Sequence, residues 1–191
     1  MYAYLDRPTG AGPGEANRPG LLGSITFTQL VGPARVHLTL WDTAASAAAF
    51  LAERAGMAAL PGQVYEVTEN GAGPAAAQVP ACAGLMYIDG PRAPEQAAAE
   101  DQAGRQRIWP AMSGMSGLVG TYALRGPDLG SVVIILATSV QSLDAIARAV
   151  MSTELLPGED PALLPGPDRI EIHHVTRYQL PAVLAASLKG H

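Results

Sequence analysis

From residue 83 to residue 178 the apolar side chains change their spacing in one order: strand, helix, strand, strand, helix, strand. Ala83-Gly-Leu-Met-Tyr-Ile-Asp89 is a short apolar run closed by Gly90-Pro91, which reads as a strand. Residues 93–112 are rich in Ala, Glu and Gln and read as a helix, with Pro110 expected to end or kink its last turn. Residues 117–125 and 131–138 are two further strands. Gly126-Pro127-Asp128-Leu129-Gly130 between them predicts an antiparallel hairpin. Leu143, Ile146, Ala147, Val150 and Met151 then fall at helical spacing, with Ser139 or Ser142 as the cap. After a Pro/Gly-rich stretch at 157–167, Ile170 and Ile172 alternate with Arg169 and Glu171, the pattern of a half-exposed strand. This β-α-β-β-α-β order is the ferredoxin-like arrangement.

The preceding residues repeat the order with one part missing. Residues 1–5, 21–31, 34–42 and 63–68 read as strands, and 44–55 as a helix capped by Asp42 or Thr43, with Phe50 and Leu51 facing inward. Tyr65 and Val67 share one face of the last of these strands, with Val64 on the other. Where the first helix belongs, residues 7–20 hold three Pro and four Gly and cannot form a regular helix. The expected class is therefore α+β, with two ferredoxin-like halves: 1–69, lacking its first helix, and 83–191. Residues 70–82 form the linker between them. Packed sheet to sheet, the halves would form an intrachain pseudo-dimeric α+β barrel that shields both sheets from water.

Charge and composition exclude several functions. A net charge of −5 and no basic run argue against nucleic-acid binding and against a polybasic membrane patch. Cys82 is the single cysteine, so no intrachain disulfide and no Cys-based zinc site can form. The start Met-Tyr-Ala-Tyr-Leu-Asp lacks the basic and apolar regions of a signal peptide, and the run Val132 to Ala137 is too short to span a bilayer. The expectation is a soluble, cytoplasmic protein. No Gly-x-Gly-x-x-Gly, Walker-type or Gly-x-Ser-x-Gly motif is present, so none of the common cofactors is indicated, and the expected cofactor is none.

The phrase His37-Leu-Thr-Leu-Trp41-Asp-Thr-Ala-Ala-Ser-Ala-Ala-Ala-Phe50-Leu51 and the strand and turn at 117–130 resemble the antibiotic-biosynthesis monooxygenase family of dimeric α+β barrels. In that family a third strand often ends in Trp, followed by a small polar residue that opens the second helix. Trp41 with Asp42-Thr43 matches this, whereas Thr138 stands at the corresponding place in the second half. The resemblance implies a substrate lying between sheet and helices. It also implies the pairing of two sheets, which family members achieve with two chains.

Several residues are candidates for chemistry. Trp41 can donate its indole N–H to a substrate oxygen or stack on an aromatic substrate; alternatively it packs on the helix that follows. His37 shares a strand face with Arg35, Thr39 and Trp41. That face either lines a cleft in which His37 acts as a base, or faces solvent. Tyr87, Tyr122 and Trp109 gather beside a pocket between the second half's sheet and its first helix, or else form core, with Met112 and Met115 as an adaptable wall. His173 and His174 are adjacent and point to opposite faces, so they cannot share one metal from a regular strand, and no metal site is expected. His174 lies on the face of Ile170 and Ile172, while His173 joins Glu171 and Arg177.

Three functions compete. The resemblance implies a cofactor-independent monooxygenase acting on an aromatic or polyketide-like molecule, with Trp41 and His37 as catalytic groups and Tyr87, Tyr122, Trp109 and His174 at the substrate. A haem-binding or haem-degrading relative would use His174 or His37 as the iron ligand. A non-catalytic small-molecule-binding protein is the third, with residues 7–20 as a lid. Edge strands would allow a further homodimer.

Overall fold

The computed structural model describes residues 1–7, 18–54 and 62–180. Eight antiparallel strands close into one barrel in the order β1-β3-β2-β8-β5-β7-β6-β4. The strands are β1 (Tyr2–Asp6), β2 (Leu21–Gln29), β3 (Arg35–Trp41), β4 (Gln63–Ala72), β5 (Cys82–Ile88), β6 (Leu118–Arg125), β7 (Ser131–Ala137) and β8 (Arg169–Gln179). Around the wall the N-terminal strands run β4-β1-β3-β2 and the C-terminal strands β8-β5-β7-β6. Pairing of β2 with β8 and of β4 with β6 leaves no free sheet edge among the described strands. Residues 8–17, where the expected loop or lid falls, and 181–191 lie outside the described residues.

The helices lie outside the barrel. Thr43 opens α1 (Ala44–Arg54) by accepting the Ser46 N–H on Oγ1 at 3.1 Å. Ser139 does the same for α4 (Val140–Met151), accepting the Ser142 N–H at 3.0 Å. Between them, α2 (Pro94–Ala103) passes through a π turn at Gly104–Ile108 into α3 (Trp109–Met112). Pro110 falls in the last turn of this helical run, which ends at Met112. The Trp109 N–H reaches back to the Gly104 carbonyl, and the widened turn lets Pro110, which has no N–H, sit in the first turn of α3.

Alternate residues of each strand fill the bore. Ala3 and Leu5, Ile25 and Phe27, Val36, Leu38 and Leu40, Leu85 and Tyr87, Tyr122 and Leu124, and Val132, Ile134 and Leu136 make one buried cluster, joined by half-buried Tyr65 and Val67. On the outside, α1 packs Ala47 and Phe50 against Tyr4 and Trp41 of the strands. Met112 of α3 and Leu143 and Ile146 of α4 pack over Cys82, Leu118, Ile135 and Ala137 of the strands. β4 runs on to Ala72, into the stretch expected to be linker, because residues 70–72 pair with Tyr122, Thr121 and Gly120 of β6.

β8 reverses the usual sense of its alternation. Its polar residues Glu171 and His173 are buried, while Ile170 is 60% exposed. Period-two spacing reveals that a strand has two faces, but it does not reveal which one a closed barrel turns inward.

The ring of Trp109 lies over Gly71, and a Cβ on that glycine would collide with the indole. Gly104 is helical and has open space around it. Gly71→Ala should therefore lower stability by roughly 1–3 kcal/mol through overpacking. Gly104→Ala should raise it by about 0.5–1 kcal/mol by restricting the unfolded chain. Urea unfolding of the two variants checks both signs.

Candidate functional site

The outer face of the N-terminal strands is built by cross-strand register. Tyr2 pairs with Trp41, Tyr4 with Thr39, and Asp6 with His37. One end of this face is apolar. Phe50 of α1 packs on Trp41 with ring centroids 5.0 Å apart and meets Tyr4 edge-on at 5.3 Å. Arg18 lies over the outer side of Phe50 and pairs with Glu53 at 2.5 Å. The Trp41 indole N–H donates to Thr39 Oγ1 at 2.8 Å, so its hydrogen-bonding capacity is used inside the protein. Trp41 packs on the following helix.

The other end is polar, and it is buried as well. His37 and Asp6 are 6% and 3% exposed, with His37 Nδ1 3.7 Å from Asp6 Oδ1. The reading of this face as solvent-exposed is thus corrected for His37, Thr39 and Trp41; only Arg35, at the start of β3, is exposed. At 3.7 Å the two groups are within charge-pair range but too far apart for a direct hydrogen bond. A buried base with a carboxylate at its back is an arrangement suited to proton abstraction.

The C-terminal strands present the same face with different chemistry. Cys82 pairs with Ala137, Gly84 with Ile135, and Met86 with Val133. All six are apolar or small, and Met112, Leu143 and Ile146 pack over them. Counting from the end of β7, Ala137 occupies the outward-facing place that Trp41 holds in β3, and Thr138 lies one residue beyond the strand. On this count Met86 and Val133 stand where Asp6 and His37 stand. The polar pair therefore belongs to one side of the molecule only.

A second polar cluster occupies one mouth of the bore. Arg7 Nη2 donates to both oxygens of Glu171 at 2.6 and 2.8 Å, and to the Tyr87 hydroxyl at 3.3 Å. Arg169 Nη1 lies 3.2 Å from Glu171, and its guanidinium stacks 4.0 Å over the Tyr87 ring. His173 Nε2 is 3.1 Å from Glu171 Oε2, while its Nδ1 has no hydrogen-bonding partner among the described residues. Burial alone would raise the Glu171 pKa, but bonds from Arg7 and His173 and the charges of Arg7 and Arg169 outweigh it and hold the carboxyl below its usual range. Burial, assisted by the Glu171 charge, pushes the Tyr87 hydroxyl up to about 12.

The expected substrate residues are not brought together. Tyr87 and Tyr122 face the bore, not the helices, and Tyr122 lies one layer deeper, level with Ile134 and Leu85. Burial raises the pKa of the Tyr122 hydroxyl also. Trp109 sits outside, over β4, with Met112 and Met115 in the apolar cluster beneath α3 and α4. His174 is exposed on the outer face of β8, in register with Cys82 and Thr28. No pocket between the second sheet and its helix gathers Tyr87, Tyr122 and Trp109, because barrel closure turns both tyrosines inward. Sequence reasoning missed Asp6, Arg7 and Glu171 as site residues. Among the described residues no group of three or more His, Cys, Asp or Glu could hold a metal ion, and no helix is long and apolar enough to cross a membrane.

No known family model matches the chain, and neither does any curated protein. Solved structures share the fold at low identity. An anthrone oxidase-like protein superposes with a TM-score of 0.62 at 12% identity, covering 93% of this chain and 92% of that one. A monooxygenase-like protein from Listeria innocua gives 0.55 at 11%, covering 92% and 94%. A heme-degrading enzyme from Listeria monocytogenes gives 0.52 at 11%, covering 91% and 99%. These likenesses establish the α+β barrel fold that the three proteins have in common with this chain.

In acid the Glu171 cluster should leave a signature. Its carboxyl binds protons less readily folded than unfolded, where the pKa is about 4.3. Its contribution to stability is thus complete above that value and is lost as pH falls through the lower folded pKa. Denaturant midpoints measured from pH 7 down to about 3 should fall more steeply for the wild type than for Glu171→Gln, which has nothing to titrate there.

Proposed function

We propose that this chain is a cofactor-independent monooxygenase-like enzyme for an aromatic or polyketide-like small molecule, with its site on the outer face of the N-terminal strands. The observation that carries the reading is the buried Asp6–His37 pair on a face whose C-terminal counterpart is filled with apolar side chains. Two tandem ferredoxin-like halves, paired within one chain as a pseudo-dimer, would account for this division of labour. One sheet face is spent on core and the other is kept for chemistry. Fold likeness to an anthrone oxidase-like protein and to monooxygenase-like proteins supports the same class.

The chemistry asks little of the protein. His37 removes a proton from an activated CH₂ group of the substrate, and Asp6 stabilises the imidazolium that results. The substrate carbanion passes electrons to O₂ and forms a bond to oxygen. Cleavage of the O–O bond with loss of the second hydrogen of that carbon leaves a ketone and water. Both electron pairs come from the substrate, so no redox group is required. Tyr4, Trp41 and Phe50 pack on one another at the far end of this face and give it a rigid apolar backing, and burial keeps the base out of water.

The same pair suits a second reading. A histidine whose Nδ1 faces a carboxylate is preset to offer Nε2 to a metal, so His37, with Asp6 behind it, would be the residue to hold a haem iron. The exposed His174 has no such support in the sheet.

Oxygen uptake with anthrone- and naphthol-type substrates separates these readings. His37→Gln should lower kcat by about 10²- to 10⁴-fold, the usual worth of a general base. Trp41→Phe should stay within about tenfold of wild type, since the indole N–H is already bonded to Thr39. Uptake that survives His37→Gln would remove the base assignment. A Soret shift on titration with hemin, lost in His37→Gln, would put the haem reading first.

A further inference from the structure

Two cations converge on one oxygen at the mouth of the bore. Arg7 Nη2 lies 2.6 Å and Arg169 Nη1 3.2 Å from Glu171 Oε1. The carboxylate also takes a second bond from Arg7 at 2.8 Å and meets His173 Nε2 at 3.1 Å, so its acceptor capacity is used. The guanidiniums are not used up. Every bond that Arg7 makes leaves from Nη2, and Arg169 approaches Glu171 through Nη1. The Nε and one Nη of each therefore have no acceptor among the described residues. The Tyr87 hydroxyl accepts from Arg7 and has no acceptor for its own proton among the described residues. Arg7 and Arg169 are 31% and 45% exposed, so a ligand can reach these donors from outside. Two residues deeper on β8 than Glu171, His173 is fully buried, and its Nδ1 has no partner among the described residues either. Buried polar groups are normally satisfied, and the described residues do not complete this set by themselves.

We propose that this mouth of the bore is a binding site for a small monocarboxylate, held by the unused guanidinium edges of Arg7 and Arg169 and by the Tyr87 hydroxyl. The free donors call for an acceptor, and the charge balance calls for a single negative one. Two guanidiniums share one carboxylate, so the cluster carries one positive charge in excess, beside a tyrosine ring on which Arg169 stacks. A planar carboxylate matches a guanidinium fork through two parallel bonds. A phosphate dianion would exceed the surplus charge. At the same rim burial, Asp128 and Asp89 raise the Tyr65 hydroxyl pKa, and those two carboxylates would repel the second negative charge. The site lies inside the bore mouth, not on the outer face of the strands, and it does not depend on the reading of His37 as the base.

The test follows the arginine Nε–H signals of the full chain by ¹⁵N NMR while acetate replaces chloride at constant ionic strength. Arg7 and Arg169 should shift on one saturating curve. Arg148, exposed and paired with Asp144 on α4, should stay in place. Phosphate at matched ionic strength should bind more weakly than acetate. Arg169→Gln removes one guanidinium at the rim and leaves the Arg7–Glu171 bonds intact, and it should weaken acetate by about tenfold or more. Glu171→Gln removes the competing charge but keeps an acceptor for Arg7, and it should tighten acetate by about three- to tenfold. A cluster that serves structure alone has no such gain to show. Shifts that grow linearly with acetate, that move Arg148 equally, or that survive in Arg169→Gln would overturn the proposal in favour of charge screening. Phosphate bound more tightly than acetate would overturn the choice of a monocarboxylate. Arg169→Gln decides alone if Glu171→Gln does not fold.

Discussion

Closure of the barrel through the β2–β8 and β4–β6 pairings is the constraint from which the rest of the structure follows. Four strands in the order β4-β1-β3-β2 present two unpaired edges, and so do β8-β5-β7-β6. Joining them satisfies every edge at once, but both seams need local adjustment. The register shifts between Thr26 and Phe27 on one seam, and between Val67 and Glu69 on the other. Once closed, each strand has a face that must fill the bore and a face that must be covered by helices or serve another purpose. The fate of each aromatic or polar residue is then set by its parity along the strand more than by its type.

Parity explains the mouth of the bore. Glu171 and His173 are carried inward on β8 by alternation, with the exposed Arg169 at the rim, and a buried charge is tolerated only in company. Glu171 answers its burial with bonds from Arg7 and His173 and the nearby charge of Arg169, and Tyr87 lies between the two guanidiniums and the carboxylate. Such a cluster is a poor source of net stability compared with apolar packing. It does fix geometry, because losing Glu171 would leave the buried His173 and the Arg7 guanidinium without their carboxylate partner. The bore is therefore a plain hydrophobic interior along most of its length and an ordered ionic plug at one end.

Much of this order could be read from the residues. The sequence of strands and helices, the cap at Ser139 and the turn at 126–130 follow from local patterns, and the hairpin closes as expected, with the Gly126 N–H donating to the Gly130 carbonyl at 2.8 Å. The bore-facing Tyr65 and Val67 and the oppositely directed Val64 also follow from local alternation. The dyad was half legible. His37 stands out as a polar residue on an otherwise structural strand, but Asp6 becomes its partner only through the β1–β3 register, which no local pattern specifies. Arg7 and Glu171 are 164 positions apart, and only barrel closure brings them together. The inward direction of Tyr87 and Tyr122 is hidden for a related reason: local pattern marks their strands, but a period of two cannot say which face looks at the helices.

The contrast between the two outer faces carries the functional argument further than any single residue does. Met86 and Val133 show what this position holds when a sheet of this shape serves only as core: flexible or branched apolar side chains beneath helices. Placing Asp6 and His37 there instead sacrifices apolar burial and desolvates two polar groups, a cost of several kcal/mol unless the pair satisfies itself. A chain selected for stability alone would remove them, since apolar replacements of similar volume pack at least as well. The C-terminal strands demonstrate within the same molecule that the fold accepts that replacement. The carboxylate and imidazole 3.7 Å apart at this strand end are therefore the feature on which the proposed proton-transfer site rests.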